Sequence, residues 1–131
     1  MTKPILSVDF DGVIHSYVSG WQGPGRVSDP PVEGALIALV NYSQHFQVAV
    51  FSSRSSVPEG LTAMQEWLAK WYMDDLEMSR DEAVRFVIHT LLWPTSKLPA
   101  MLTIDDRAIT FAGVWPDAAQ LLAFRPWRPN G

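Results

Sequence analysis

The chain of 131 residues has no cysteine and no long apolar run, and both absences narrow what it can be. Without cysteine there is no disulfide and no thiolate metal site, so a metal ion would need oxygen or nitrogen ligands. No apolar run approaches the ~20 residues that cross a bilayer. Asp9 and Asp11 interrupt the apolar N-terminal residues, so no signal-peptide pattern is present. We therefore expect a cytoplasmic protein without a membrane partner.

Positive charge is also scarce, with 10 Lys and Arg against 14 Asp and Glu and a net charge of −4. General affinity for nucleic acid depends on neutralising phosphates, so this balance argues against a nucleic-acid partner, although it permits a small local anion site. The length suits one domain spanning residues 1–131, and a hydrophobic fraction of 47% is ordinary for a globular protein.

Apolar and β-branched runs alternate with segments of helical periodicity, a pattern typical of an α/β protein with a parallel sheet and helices on both faces. Ser56, Pro58 and Glu59 predict a capping box at the start of one helix. The predicted strands are 5–10, 48–51, 86–89, 101–104 and 109–111, and the predicted helices are 32–46, one from residue 56, a short turn at 81–85, and 117–124.

Residues 13–31 interrupt this alternation with a segment rich in glycine and proline. The segment is too long for a plain connection, and long loops in small domains are usually functional or mobile. We interpret it as a flap, with a β-hairpin as one form of it, that hangs over the edge of the sheet. Trp21 lies in this flap and is a candidate for substrate contact.

Acidic residues follow two of the predicted strands: Asp9 and Asp11 follow the first, and Asp105 and Asp106 follow the fourth. Ligands of parallel α/β sheets bind beyond the carboxyl ends of the strands, where these groups would meet. Each close pair of carboxylates would cost about 4 kcal/mol at ~4 Å and an effective dielectric of ~20. A cation would relieve that repulsion, and an all-oxygen ligand set with open positions favours Mg²⁺.

Bound Mg²⁺ commonly shares a substrate phosphate, and a carboxylate beside it can attack phosphorus to form an aspartyl-phosphate. Asp11 would then protonate the leaving oxygen and later activate water. The hydroxyl of Ser52 and the ammonium of Lys97 would hold the other phosphoryl oxygens. Each also has a plainer interpretation, because Ser52 could only begin a turn and Lys97 could be a solvated loop residue.

Three further side chains are candidates for substrate binding. Ser53 is the second choice for the phosphate-binding hydroxyl after Ser52. Arg54 could contact substrate, but an exposed salt bridge is the favoured interpretation for it and for Arg107. His15 follows the first acidic pair and could touch substrate, although a structural histidine is favoured.

These residues together resemble the four motifs of the haloacid dehalogenase superfamily. The segments are D9-F-D-G-V13, the apolar strand ending at Ser52, Lys97, and I104-D-D106. A DxDG sequence alone is weakly specific, whereas four motifs in order across residues 5–111 form a more specific pattern. The ending D105-D-R-A-I-T-F-A-G-V-W115 resembles small members of the kind found in phage and prophage genomes.

The resemblance implies a Rossmann-like three-layer α/β sandwich with a parallel five-stranded sheet in the order 5-4-1-2-3. It implies a nucleophilic Asp9, a general acid/base at Asp11, and Mg²⁺ held by Asp9, the Asp11 carbonyl and Asp105, with Asp106 nearby. Two features depart from the family pattern: leucine precedes proline after Lys97, and no large cap domain is present. Capless members often act on large substrates or are covered by another subunit.

The sequence thus predicts a Mg²⁺-dependent phosphatase-like hydrolase that cleaves a phosphomonoester, either a small phosphorylated compound or a larger one. One alternative is a phosphatase of polynucleotide 5′ or 3′ ends. The other is a non-catalytic binding or assembly module of the same fold. The sequence leaves the substrate and the oligomeric state open.

Overall fold

A computed structural model describes residues 2–129 and shows a mixed α/β chain built on a small parallel sheet. Its three strands are β1 (Ile5–Val8), β2 (Gln47–Val50) and β3 (Leu102–Ile104), arranged in the order β2-β1-β3. Leu6 of β1 pairs with Val48 on one side and with Leu102 on the other, both in parallel register. The predicted α/β class with a parallel sheet is confirmed, but the described residues form three strands rather than the expected five.

The described part of the chain also contains five helical segments. They are α1 (Ala35–Ser43), α2 (Pro58–Asp75), α3 (Arg80–Val84), a π-helix (Arg85–Thr90) that continues α3, and α4 (Ala118–Leu122). α4 falls inside the predicted helix 117–124, and Asp117 caps it by accepting the Gln120 N–H. The predicted capping box at Ser56 is wrong, because α2 begins after an extended Val57 that makes no side-chain cap, with Pro58 in its first turn.

The predicted strand 86–89 is wrong as well, because these residues belong to the π-helix. Ser79 and Glu82 form a capping box that starts α3, and no glycine or proline follows before Leu91, so the helix continues. Buried Ala83 and Val87 lie four residues apart on one helical face. Leu92 then makes a single parallel bridge to Ala49 beside β2. The predicted strand 109–111 is not formed either.

The core lies between the sheet and the first three helices. Met64, Leu68 and Tyr72 of α2 are fully buried and recur at helical spacing. In β2 the consecutive residues 48–50 are all buried, so both faces of this strand are covered. Within residues 2–129, no helix has both the length and the apolar character that crossing a bilayer requires.

The flap 13–31 is a loop rather than a β-hairpin. Its two ends are joined at the base, where the Ser16 N–H donates to the Pro30 carbonyl at 2.9 Å and the Val32 N–H donates to the Ile14 carbonyl at 2.8 Å. Further out, Asp29 accepts hydrogen bonds from the backbone and hydroxyl of Ser19. The indole N–H of Trp67 donates to the Asp29 carbonyl at 2.8 Å, which fixes the flap to α2.

Candidate active site

A cavity of about 240 Å³ lies beyond the carboxyl ends of the three strands. Asp9 and Asp11 reach it from the end of β1, Ser52 and Ser53 from the end of β2, and Asp105 from the end of β3. The parallel register brings these groups together, because the carboxyl ends of β1, β2 and β3 lie at one edge of the sheet. Tyr17, Trp21 and Arg107 complete the lining.

Asp9, Asp105 and Asp106 form a carboxylate cluster at one side of this cavity. One carboxylate oxygen from each residue lies within 4.8 Å of those of the other two. The backbone N–H of Asp9 donates to the Ile104 carbonyl at 2.9 Å, which extends the β1–β3 pairing into the cluster. The backbone therefore fixes the distance between carboxylates that are far apart in sequence.

Burial and mutual repulsion disfavour the ionised form of Asp9 in this cluster. Burial, followed by the nearby Asp105 charge, raises the pKa of Asp9 from its ordinary value of 3.8 to about 7, against the lowering effect of the Phe10 N–H. Asp106 has a nearly inaccessible side chain, and among the described residues its Oδ1 has no hydrogen-bond partner. A buried unpartnered carboxylate oxygen beside two other carboxylates is a donor set that fits a divalent cation.

Gly12 allows the two acidic segments to approach each other closely. It has a positive φ of +85°, and a Cβ at this position would collide with a carboxylate oxygen of Asp106. Any other residue would therefore be strained and would displace Asp106. The close approach of Asp106 and the positive φ thus explain why glycine follows Asp-Phe-Asp in this chain.

Asp11 lies in the cavity wall but outside the carboxylate cluster. Arg54 donates to both of its oxygens, from Nε at 2.9 Å and from Nη2 at 3.1 Å, and His15 Nδ1 lies 2.8 Å from Oδ1. Burial alone would raise the pKa of Asp11, but the hydrogen bonds from His15 and Arg54 outweigh burial and lower it. The expectation that four carboxylates converge is therefore corrected to three, because Arg54 holds the fourth.

Arg54 is fully buried, so the favoured interpretation of an exposed salt bridge is wrong. Its Nη1 donates to the carbonyls of Gly23, Pro24 and Arg26, and its guanidinium carbon lies 4.8 Å from the Trp21 ring centroid. Arg54 thus joins the end of β2 to Asp11 and to the tip of the flap. No local pattern could reveal this role, because its partners are backbone carbonyls about 30 residues away.

The remaining predicted residues differ in how closely they approach the cavity. Ser52 is nearly buried and accepts the Arg54 N–H at 3.2 Å, so it helps to form the turn after β2, whereas Ser53 is exposed. Trp21 is half exposed and lines the cavity, as expected of a contact residue. Lys97 is exposed and is not among the residues that line the cavity.

His15 is buried and fully engaged, which supports the structural interpretation over substrate contact. The backbone N–H of Asp29 donates to its Nε2 at 3.1 Å, so Nε2 is the acceptor nitrogen. The ring proton is then on Nδ1, which donates to Asp11. His15 therefore connects Asp11 to the flap.

Three further residues lie near the site: Tyr17 and Arg128, which the sequence did not indicate, and Arg107, for which an exposed salt bridge was the favoured interpretation. Tyr17 lines the cavity with a left-handed backbone at φ +61°, and Arg107 lines it next to Asp105. Arg128 donates to Asp106 Oδ2 at 3.2 Å and leaves Oδ1 free of protein partners in the described chain. Only Arg107 lay beside a recognised motif, and nothing local marks the other two.

Comparisons of the chain with protein-family models, with curated proteins and with solved structures find no match.

Proposed function

We propose that this chain is a Mg²⁺-dependent phosphomonoester hydrolase that works through an aspartyl-phosphate on Asp9. The observation that supports the proposal best is the carboxylate cluster, two of whose members, Asp9 and Asp105, line the cavity beyond the carboxyl ends of the strands. Asp9, Asp105 and Asp106 would hold the ion. When bound, Mg²⁺ would neutralise the cluster and the phosphoryl oxygens and orient the phosphoryl group.

Asp9 would act as the nucleophile. A carboxylate oxygen would form a bond to phosphorus while the bond from phosphorus to the ester oxygen breaks, and the released alkoxide would take a proton from solvent water. Water would then attack the phosphorus of the aspartyl-phosphate, so that inorganic phosphate leaves and Asp9 is regenerated.

Asp11 is better suited to the second step than to the first. Arg54 and His15 lower its pKa, so the carboxylate is ionised at neutral pH and is ready to accept a proton from water. Because the ion pair keeps Asp11 ionised at neutral pH, Asp11 has no proton to give to the leaving group. Its position in the cavity wall favours the role of general base toward the attacking water.

Two kinds of side chain would contact the phosphoryl oxygens. The serines at the end of β2 line the cavity and can donate hydroxyl hydrogen bonds. Because Lys97 is exposed outside the lining, Arg107 is the cationic side chain at hand for the phosphoryl group. This assignment replaces the lysine that the sequence suggested.

A panel of phosphate esters with Mg²⁺ tests the proposal. Turnover should require the metal, should stop with EDTA, and should fall by at least about a thousandfold in Asp9→Asn. Asp74→Asn is the matched control, because it makes the same change at an exposed carboxylate of α2. Undiminished hydrolysis in Asp9→Asn would refute the role of Asp9, and absence of turnover across the panel would favour a binding module.

The polynucleotide alternative is tested in the same assay. A phosphorylated oligonucleotide is compared with mononucleotides over a salt series, because a binding site for many phosphates loses affinity steeply as salt rises. The net charge of −4 predicts that the oligonucleotide gains no advantage at low salt. A strong, salt-sensitive preference for the oligonucleotide would instead support the end-phosphatase function.

A further inference from the structure

The end of the described chain exposes a large apolar surface. No residue of 92–129 is buried as a whole, although Trp93 and Ile104 pack partly against the core. Among residues 2–129, fifteen large apolar residues are exposed, and ten of them lie between positions 101 and 127. We refer to these ten as the C-terminal apolar surface: Met101, Leu102, Ile109, Phe111, Val114, Trp115, Leu121, Leu122, Phe124 and Trp127.

The summed exposed area of these ten residues is large compared with a single apolar patch of a monomer. Its four aromatic residues are exposed by 37% to 82% and present roughly 500 Å² on the usual scale of about 150–250 Å² for an aromatic side chain. The six aliphatic residues, exposed by 47% to 82%, add a comparable area. The largest apolar patch of a typical monomer is about 300–600 Å², and each partner of a standard interface buries about 800 Å².

Some side chains of this surface lie next to one another in the single chain. Ile109, Leu121 and Phe124 line one cleft of about 280 Å³ with Arg107 and Ala108. The rings of Phe111 and Trp115 are in contact, with centroids 4.7 Å apart. Five of the ten residues therefore form two local clusters rather than isolated exposed side chains.

The charge of this region is suited to contact with a second copy of itself. Residues 101–128 contain three aspartates and three arginines, so their net charge is zero while the whole chain has −4. Two such regions can approach each other without net repulsion. In addition, β3 pairs with β1 on one side, and no strand of the described chain pairs with its other edge. Two free β3 edges can pair antiparallel about a two-fold axis.

We propose that the C-terminal apolar surface is the interface of a homodimer with two-fold symmetry. The proposal stands independently of the proposed catalytic function, because it follows from exposure, charge and sheet topology alone. Dimerisation would cover the ten residues of the C-terminal apolar surface and would join the two sheets along β3.

Sedimentation velocity over a wide range of protein concentrations tests the dimer. The wild-type chain should sediment with twice the mass of one chain and should dissociate on dilution. The double variant Trp115→Ser/Leu122→Ser should associate at least about tenfold more weakly, because large apolar anchors dominate interface energies. Both residues are 82% exposed, so the variant should keep the wild-type circular dichroism and melting of the monomer.

Ile37→Ser is the matched control, because Ile37 is 54% exposed on α1, outside the proposed interface, and this variant should dimerise normally. A wild-type chain that remains monomeric at all concentrations would overturn the proposal. So would a dimer that Trp115→Ser/Leu122→Ser leaves intact, since the interface would then lie elsewhere.

Hydrogen exchange at two concentrations gives a second, variant-free test. The amides of 101–127 should gain protection as the dimer forms, while the protection of α2 stays constant. Between concentrations at which sedimentation shows monomer and dimer, unchanged protection in 101–127 would also overturn the proposal, because dimer formation would then leave the segment uncovered.

Discussion

An Asp9→Asn substitution removes one negative charge from the carboxylate cluster and keeps the size of the side chain. In the folded protein burial and Asp105 raise the pKa of Asp9 to about 7, against an ordinary value of 3.8. Between these two values the folded state binds more protons than the unfolded state, so the free energy of unfolding falls as the pH rises. The full penalty is present above about pH 7 and amounts to about 4 kcal/mol at most, reduced by partial exposure of the carboxyl to water.

Urea denaturation in EDTA measures this penalty directly. Near about pH 8 the Asp9→Asn protein should be more stable than the wild type by about 2–4 kcal/mol, and near about pH 4 the two should be almost equal. The exposed Asp74→Asn control should show no such pH-dependent gain. A variant that is less stable than the wild type at the higher pH, or a difference that does not change with pH, would refute the reasoning.

Mg²⁺ should reduce the difference in stability between the two proteins at the higher pH. At a hundredfold excess over its dissociation constant, an ion that binds the folded state adds about 2.7 kcal/mol to the wild type. Asp9→Asn should gain less, because it has lost one of the three carboxylates of the cluster. Equal stabilisation of both proteins by Mg²⁺ would show that the ion does not bind at the carboxylate cluster.

Three other substitutions test individual contacts. Arg54→Met leaves the carboxylate of Asp11 without its partner and removes the donor to the flap carbonyls. Urea denaturation should therefore show a loss of about 3–5 kcal/mol in the free energy of unfolding. A loss below about 1 kcal/mol would contradict the burial of this ion pair. Gly12→Ala places a Cβ against Asp106 at a positive φ and should cost about 1–3 kcal/mol in the same assay; a stability equal to that of the wild type would contradict this geometry. Arg128→Gln should weaken Mg²⁺ binding in calorimetry, because Asp106 loses the hydrogen bond that positions it. Arg125→Gln, which loses only bonds to backbone carbonyls, should leave the affinity unchanged. Equal affinities in both variants would show that Arg128 does not position Asp106 for the ion.

The parts of the site that follow directly from strand ends were predictable from the sequence. Asp9, Ser52 and Asp105 each come just after an apolar run, and parallel strands place such residues at one edge of the sheet. The class of fold was predictable for the same reason, since the alternation of runs is a local pattern. The prediction of a strand at 86–89 was wrong because a short apolar run is compatible with either a strand or a helix. The capping box at Ser79 starts a helix that continues through these residues.

The parts that depend on long-range contacts were not predictable. The sequence gives no sign that Arg54 is buried, because burial of an arginine depends on where the flap carbonyls lie in space. Arg128 reaches Asp106 across 22 positions, and no periodicity or motif links them. The removal of Asp11 from the carboxylate cluster follows from the first of these contacts, so it was equally hidden.

Asp9 becomes covalently phosphorylated during turnover if the carboxylate cluster works as proposed. Acid quenching of the protein during incubation with a phosphate ester, followed by peptide mapping in a mass spectrometer, measures this directly. We predict a phosphoryl group on Asp9 that appears only with Mg²⁺ and is absent from Asp9→Asn. Turnover with the phosphoryl group on another residue, or with no protein-bound phosphate under conditions that trap aspartyl-phosphates, would contradict the proposed mechanism.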